Sequence, residues 1–151
     1  MICNGNELLI EQPLSPMLNT KERAHGVSYG MSEAGYDIRI AQSVTLHPFR
    51  RFALASAIER FHMPESLVGI VHDKSTWARR GLSVFNTVIE PGWIGFLTLE
   101  LIYHGWRPIR IPAGAGIAQV IFHETCENAA YGGKYQNQGA GPQKAILEVD
   151  S

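Results

Sequence analysis

The sequence predicts an all-β protein, a barrel or sandwich carrying one or two short helices. Three observations point there. Short runs rich in Val, Ile, Leu, Thr and aromatics recur at close spacing. Glycine or proline bounds each run. Helix signals are few and short.

In chain order, residues 11–30 are rich in Pro, Gly, Ser and Asn, with Pro13 and Pro16 close together, and read as an N-terminal arm that loops or wraps. Leu54 to Phe61 fits a strand or a helix. Leu67 to Val71 reads as a strand, and Ser75 to Arg80 as a helical turn or more before Gly81. Leu82 to Ile89, Phe96 to His104 and Gly116 to His123 are further strands, with Ile109 to Pro112 a weaker one. From Asn128 to Pro142 the chain becomes dense in Gly, Gln and Asn, too polar to pack a core. It reads as disordered or as a lid that orders over something. A length of 151 residues fits one domain over 1–151, with 128–151 a flexible C-terminal lid.

Thirteen Lys and Arg against 14 Asp and Glu leave a net charge of −1, without the basic excess that nucleic acid or an anionic membrane demands. Charged residues make up 18% of the chain, below the usual value of about 25%, which suggests surface buried in an oligomer. Cys3 and Cys126 make neither a disulfide framework nor a Cys-rich zinc site. The six histidines lack metal-ligand spacing, and the H-x-E and P-C-x-x-C pair of the zinc deaminases is missing, so no metal site is expected. No basic segment with an apolar run opens the chain, and no apolar run approaches the ~18 residues that span a bilayer. The expected compartment is cytoplasmic.

Four segments could carry chemistry. Asp73 to Gly81 gathers Lys74, Ser75, Thr76, Arg79 and Arg80, the hydroxyls and cations that a polyphosphate needs. The same composition also suits a solvated basic turn paired with Asp73. In Phe96 to Leu101, alternation puts Leu97, Leu99 and Leu101 on one face and Thr98 and Glu100 on the other. That second face meets either solvent or an enclosed pocket, where desolvation would raise the Glu100 pKa into a useful acid–base range. Asn86 to Trp93 reads as a hairpin turning at Pro91-Gly92, equipped with amides, an acid and an aromatic to hold a nucleoside, or merely a hairpin with a packing Trp. Gly132 to Gly139 is no P-loop, but its Lys134, amides and tyrosines could close on phosphates, or fray.

Taken in order, these segments resemble the trimeric dUTPase and dCTP deaminase superfamily. Ala34-Gly35-Tyr36-Asp37-Ile38-Arg39 is similar to its first motif, and Lys74 to Leu82 to its phosphate-binding second. Ile89 to Gly95 with Leu97-Thr98-Leu99-Glu100 is similar to the third, Gly116 to Phe122 to the fourth, and Gly133-Lys134-Tyr135-Gln136-Asn137-Gln138 to the closing tail. The resemblance implies a distorted, jelly-roll-like β-barrel of the dUTPase fold, a single nucleotide-binding domain. Within the superfamily, Thr-Leu-Glu after the hairpin, Lys-Tyr-Gln-x-Gln in the tail and Arg79 fit the deaminase pattern. A dUTPase would have Asp at Glu90, Tyr at Trp93 and an Arg- and Phe-containing glycine-rich ending. Lys74 departs from the usual Arg, turning a bidentate fork into a point charge. The hairpin and the chain are also shorter than in many deaminases.

The implied activity is deamination of dCTP to dUTP without a catalytic metal. The resemblance makes Glu100, Ser75 and Arg79 catalytic. It assigns Lys74, Thr76, Gln119, Lys134 and Gln138 to a triphosphate that carries its own Mg2+. Asn86, Thr87 and Val88 would read the base, Trp93 would crowd the sugar 2′ position, and Tyr131 and Tyr135 would close the tail. Glu90 would be the water-activating acid of the alternatives, a dUTP diphosphatase or a bifunctional enzyme. The implied partners are a deoxynucleoside triphosphate (dCTP, with dUTP or dTTP as further candidates) and two more copies of the chain in a homotrimer with sites between subunits.

Overall fold

The structure is a computed structural model that describes residues 1–85 and 87–150. It opens with strand β1 (Ile2–Cys3), helix α1 (Gly5–Glu11) and strand β2 (Leu14–Ser15). Then follow β3 (Lys21–Ala24), β4 (Val27–Met31), β5 (Tyr36–Arg39), β6 (Val44–Leu46), β7 (Phe52–His62) and β8 (Leu67–Asp73). Helix α2 (Ser75–Ala78) precedes β9 (Leu82–Val84), β10 (Val88–Ile89), β11 (Ile94–Tyr103), β12 (Ile109–Ile111) and β13 (Gly116–Glu124).

One sheet runs β10-β8-β13-β5-β4-β3, with β1 also on β13; a second runs β2-β7-β11-β9; β12 and β6 form a third. All pairings between named strands are antiparallel among the described residues. Tyr36, Ile38, Val120 and Phe122 from the first sheet share one core with Ala55, Phe61, Leu99 and Leu101 from the second. Each of these eight is nearly inaccessible to solvent, so apolar burial between the sheets is the main force holding the curl closed. The all-β expectation holds.

Three local readings change. Residues 11–30 do not merely loop. They give β2 and a β3–β4 hairpin in which Ala24 faces Val27. His25 and Gly26 at its tip both have positive φ, 53° and 77°, the conformation a two-residue hairpin loop requires. The ambiguous Leu54 to Phe61 lies within β7, where pairing along β11 decides for strand. Leu82 to Ile89 is two strands, because the chain changes sheets midway: β9 pairs with β11, whereas β10 pairs with β8. Helix α1 carries no long apolar stripe, only Leu8 being buried, which is why periodicity gave no sign of it.

Candidate active site

Strand β11 sets the site. Its burial alternates strictly, with Leu97, Leu99 and Leu101 inward and Phe96, Thr98, Glu100 and Ile102 on the other face. That face meets an open cleft of about 550 Å³. Phe52 and Leu54 from β7 line it with Thr98 and Glu100 from β11, joined by Leu97 at the register shift between Phe96 and Thr98. Thr87, Val88, Ile89, Glu90 and Trp93 supply a second wall, and Tyr131, Tyr135, Gln138, Gln143 and Ala145 a third.

Glu100 is the one residue among the described residues with a buried, unpartnered side-chain oxygen. Its Oε2 is shielded from solvent and has no hydrogen-bond partner among the described residues. Burial pushes its carboxyl above the ordinary range, only partly offset by its own backbone N–H. A carboxyl held in this way is chemically able to exchange a proton with a group that enters the cleft.

The second wall follows from Pro91-Gly92. Trp93 N donates to Glu90 O at 3.1 Å, and Gly92 sits at φ 72°, the positive value a type II turn needs at its third position. This turn seats Trp93, whose ring packs 6.0 Å from that of Phe61. The indole Nε1 donates to Tyr135 O at 2.7 Å, so the residue expected beside a sugar also anchors the tail.

The tail is strapped down by its amides. Gln136 Oε1 accepts from Ile94 N at 2.8 Å, while its Nε2 donates to Gly92 O and Tyr131 O. Gln138 forms a parallel bridge with Gly95, and its Nε2 donates to Phe96 O and to Thr98 Oγ1. Tyr131 packs against the core, although composition argued against such packing in this stretch. Lys134 is exposed, its Nζ 5.4 Å from the centre of the Tyr135 ring.

The second-motif turn stands apart from this cleft. Trp77 is buried and donates from Nε1 to Gly116 O at 2.6 Å, which pins α2 onto the start of β13. Ser75, Thr76 and Arg79 face outward, exposed. Lys74 turns inward and pairs with Asp37, both nearly inaccessible to solvent. Asp73 does not pair with these cations, since its Oδ1 accepts from Val84 N at 2.6 Å. Gln119 lies opposite Asp37 and His72 on β13 and donates to Ser32 Oγ. Asn86 lies outside the described residues.

Of the expected residues, the cleft therefore unites Glu100, Thr87, Val88, Glu90, Trp93, Tyr131, Tyr135 and Gln138. Within one chain it does not include Ser75, Thr76, Arg79, Lys74, Gln119 or Lys134. Sequence reasoning missed Phe52, Leu54, Gln143 and Ala145. It placed Thr98 on the Glu100 face without giving it a role. Assigning Leu54 to Phe61 as strand would have exposed Phe52 and Leu54. Among the described residues, no group of three or more His, Cys, Asp or Glu is gathered to hold a metal ion.

Residues 31–125 match the family model described as dCTP deaminase-like. The dCTP deaminase of Protochlamydia amoebophila is 33% identical, the match covering 91% of this chain and 95% of that protein. The dCTP deaminase of Campylobacter hominis is 38% identical, with coverage of 82% and 83%. Among solved structures, a variant of the dUTPase from phage phi11 of S. aureus superposes with a TM-score of 0.57 at 20% identity, covering 92% of this chain and 96% of that one. The native EIAV dUTPase gives a TM-score of 0.56 at 21% identity, over 66% and 82%. At these identities the structural likeness speaks for the fold alone. The matched span begins at the last residue of β4 and runs through Glu100 to the end of β13, and with the relatives' identity over most of their length it shows that the chain belongs to the dCTP deaminase-like family.

Proposed function

We propose that this chain hydrolyses dCTP to dUTP and ammonia. The observation that carries the reading is the buried, unpartnered Glu100 Oε2 on a nucleoside-sized cleft, in a chain of this family. Water is held between the carboxylate and C4 of cytosine. Glu100 takes a proton from it as the oxygen adds to C4, and passes that proton to N3. It then moves the proton of the new hydroxyl to the exocyclic amine, which leaves as ammonia while the C4 carbonyl forms. The raised pKa suits a group that must both accept and release a proton.

Ser75 and Arg79 orient and polarise the water and the intermediate, and in our reading the α2 turn of a neighbouring copy supplies them. Two features support a homotrimer with shared sites: the outward display of Ser75, Thr76 and Arg79, and the exposure of Phe52 and Val88 at the cleft rim. Thr76, Gln119, Lys134 and Gln138 hold the triphosphate, and Lys74 joins them with its charge already shared with Asp37. Mg2+ enters as part of the nucleotide substrate, chelated by its phosphates. The phage phi11 dUTPase variant coordinates a structural Mg(II) ion, and a phage 80alpha dUTPase variant has been solved with dUpNHpp. Residues 86–88 read the base, Trp93 crowds the 2′ position, and Tyr131 and Tyr135 close the tail. The domain is one nucleotide-binding unit over 1–151 with 128–151 as its lid, at work in the cytoplasm. No helix among the described residues is long and apolar enough to cross a membrane.

A second reading rests on Glu90, whose side chain lines the same cleft. It would activate water at the α-phosphate and release pyrophosphate. Incubation with dCTP and dUTP separately, resolving ammonia, dUTP, dUMP and pyrophosphate, tests both. Ammonia and dUTP from dCTP, with dUTP left intact, is the expected result. Pyrophosphate from dUTP without ammonia from dCTP overturns it.

A further inference from the structure

The surroundings of Glu100 are lopsided. On one side along the sheet stands Thr98, whose Oγ1 accepts from Gln138 Nε2 at 2.6 Å and from the Gln143 N–H at 3.0 Å. On the other side the lining is hydrocarbon. Leu54 is the direct cross-strand partner of Glu100, and Phe52 is the partner of Ile102 one step further along the same face. Directly opposed side chains have Cβ atoms about 4.5–5.5 Å apart, so Leu54 stands beside Glu100 on the cleft face. Both apolar residues line the cleft, and Phe52 is half exposed.

This asymmetry orients a pyrimidine. Resting on the deaminase reading, C4 and N3 must face Glu100. The ring then has two ways to lie. In one, the O2 acceptor points at Leu54 and Phe52 and loses its hydrogen bonds. In the other, O2 meets the side of the Thr98 hydroxyl, whose oxygen accepts from Gln138 and Gln143 and whose O–H can donate, and the C5–C6 edge meets hydrocarbon. The second avoids stranding a polar atom. We infer that Leu54 and Phe52 form an apolar wall against the C5 edge of the base. The substrate class therefore includes cytosine deoxynucleoside triphosphates with a small alkyl group at C5, and Leu54 is the specificity-determining residue. The chemistry at C4 is unchanged: water enters, ammonia leaves, and the C5 substituent is carried through.

The test compares kcat/KM for dCTP and 5-methyl-dCTP by ammonia release, with the product nucleotide identified. In the wild-type chain the 5-methyl to dCTP ratio should be one or more, rising to about fourfold if the methyl is fully desolvated. Leu54→Asn should lower that ratio by about fourfold or more, and Leu54→Met should preserve it. If Leu54→Asn does not fold, Phe52→Ser at the exposed rim carries the same expectation. Deamination of dCTP with tenfold or greater discrimination against the methylated nucleotide overturns the inference, as does a ratio unmoved by either polar substitution. Ammonia from neither nucleotide overturns the deaminase reading itself, and the inference with it.

Discussion

Glu59 and Glu100 stand on neighbouring strands of one sheet, β7 and β11, and burial pushes both carboxyls above their ordinary range. Their surroundings differ completely. Glu59 is inaccessible to solvent, and both its oxygens are used. Oε2 accepts from the Arg39 backbone N–H at 2.9 Å and Oε1 from Arg39 Nε at 2.8 Å. Arg39 is further steadied by the Tyr29 ring, 4.8 Å from its guanidinium carbon. Glu100 has an oxygen with no partner and an open cleft before it. Burial alone therefore does not mark a catalytic acid. A satisfied acid locks two sheets together, since β5 belongs to one and β7 to the other; an unsatisfied acid facing a cavity keeps hydrogen-bonding capacity that the fold does not use.

The largest way to sharpen this contrast is Glu100→Gln, which keeps shape and removes proton transfer. Turnover of dCTP should fall by about 10²- to 10⁴-fold with nucleotide binding retained, measured by ammonia release and titration calorimetry. Unchanged kcat would remove Glu100 from the mechanism. Next is Arg39→Ala, which leaves a buried carboxylate unpaired and should cost about 3–5 kcal/mol in urea unfolding. Adding Glu59→Gln to Arg39→Ala should recover part of that loss, because the uncompensated charge is gone. A loss below 1 kcal/mol would mean that Glu59 is no structural anchor.

The smallest effect lies in the pH dependence of melting. A carboxyl with a raised folded pKa costs stability when ionised, and the cost vanishes as pH falls through that pKa to below the unfolded value of about 4.3. In an Arg79→Ala background, which takes away the guanidinium of the proposed assembly, adding Glu100→Gln should raise the melting temperature at pH 7 to 8. The gain should shrink to nothing near pH 4. A gain that persists there would trace to packing and not to charge.

The sequence made the sheet-forming runs legible because alternation is a local signal, as in Leu97 to Leu101 against Thr98 and Glu100. It also made legible the Pro91-Gly92 turn and the acid at Glu100, but the hairpin expected over Asn86 to Trp93 does not form among the described residues, since β10 pairs with β8 and β11 with β7 and β9. It did not show that one apolar run serves two sheets, as Leu82 to Ile89 does, because strand-switching is a property of pairing and leaves no periodic trace. The pairing of Lys74 with Asp37 left no local trace either, because the two lie 37 residues apart. The tail read as unable to pack because glutamine counts as polar. In the fold, the Gln136 and Gln138 side chains satisfy backbone groups that an apolar residue would leave bare.

A single carbon added to the backbone of Gly95 would stand 2.8 Å from Gln138 N and 2.9 Å from Gln138 O, closer than atoms tolerate. The strap would have to lift to make room. The backbone at Gly95 thus fixes where the tail crosses β11, so in the proposed reaction the seating of the tail rests on a residue that carries no side chain of its own.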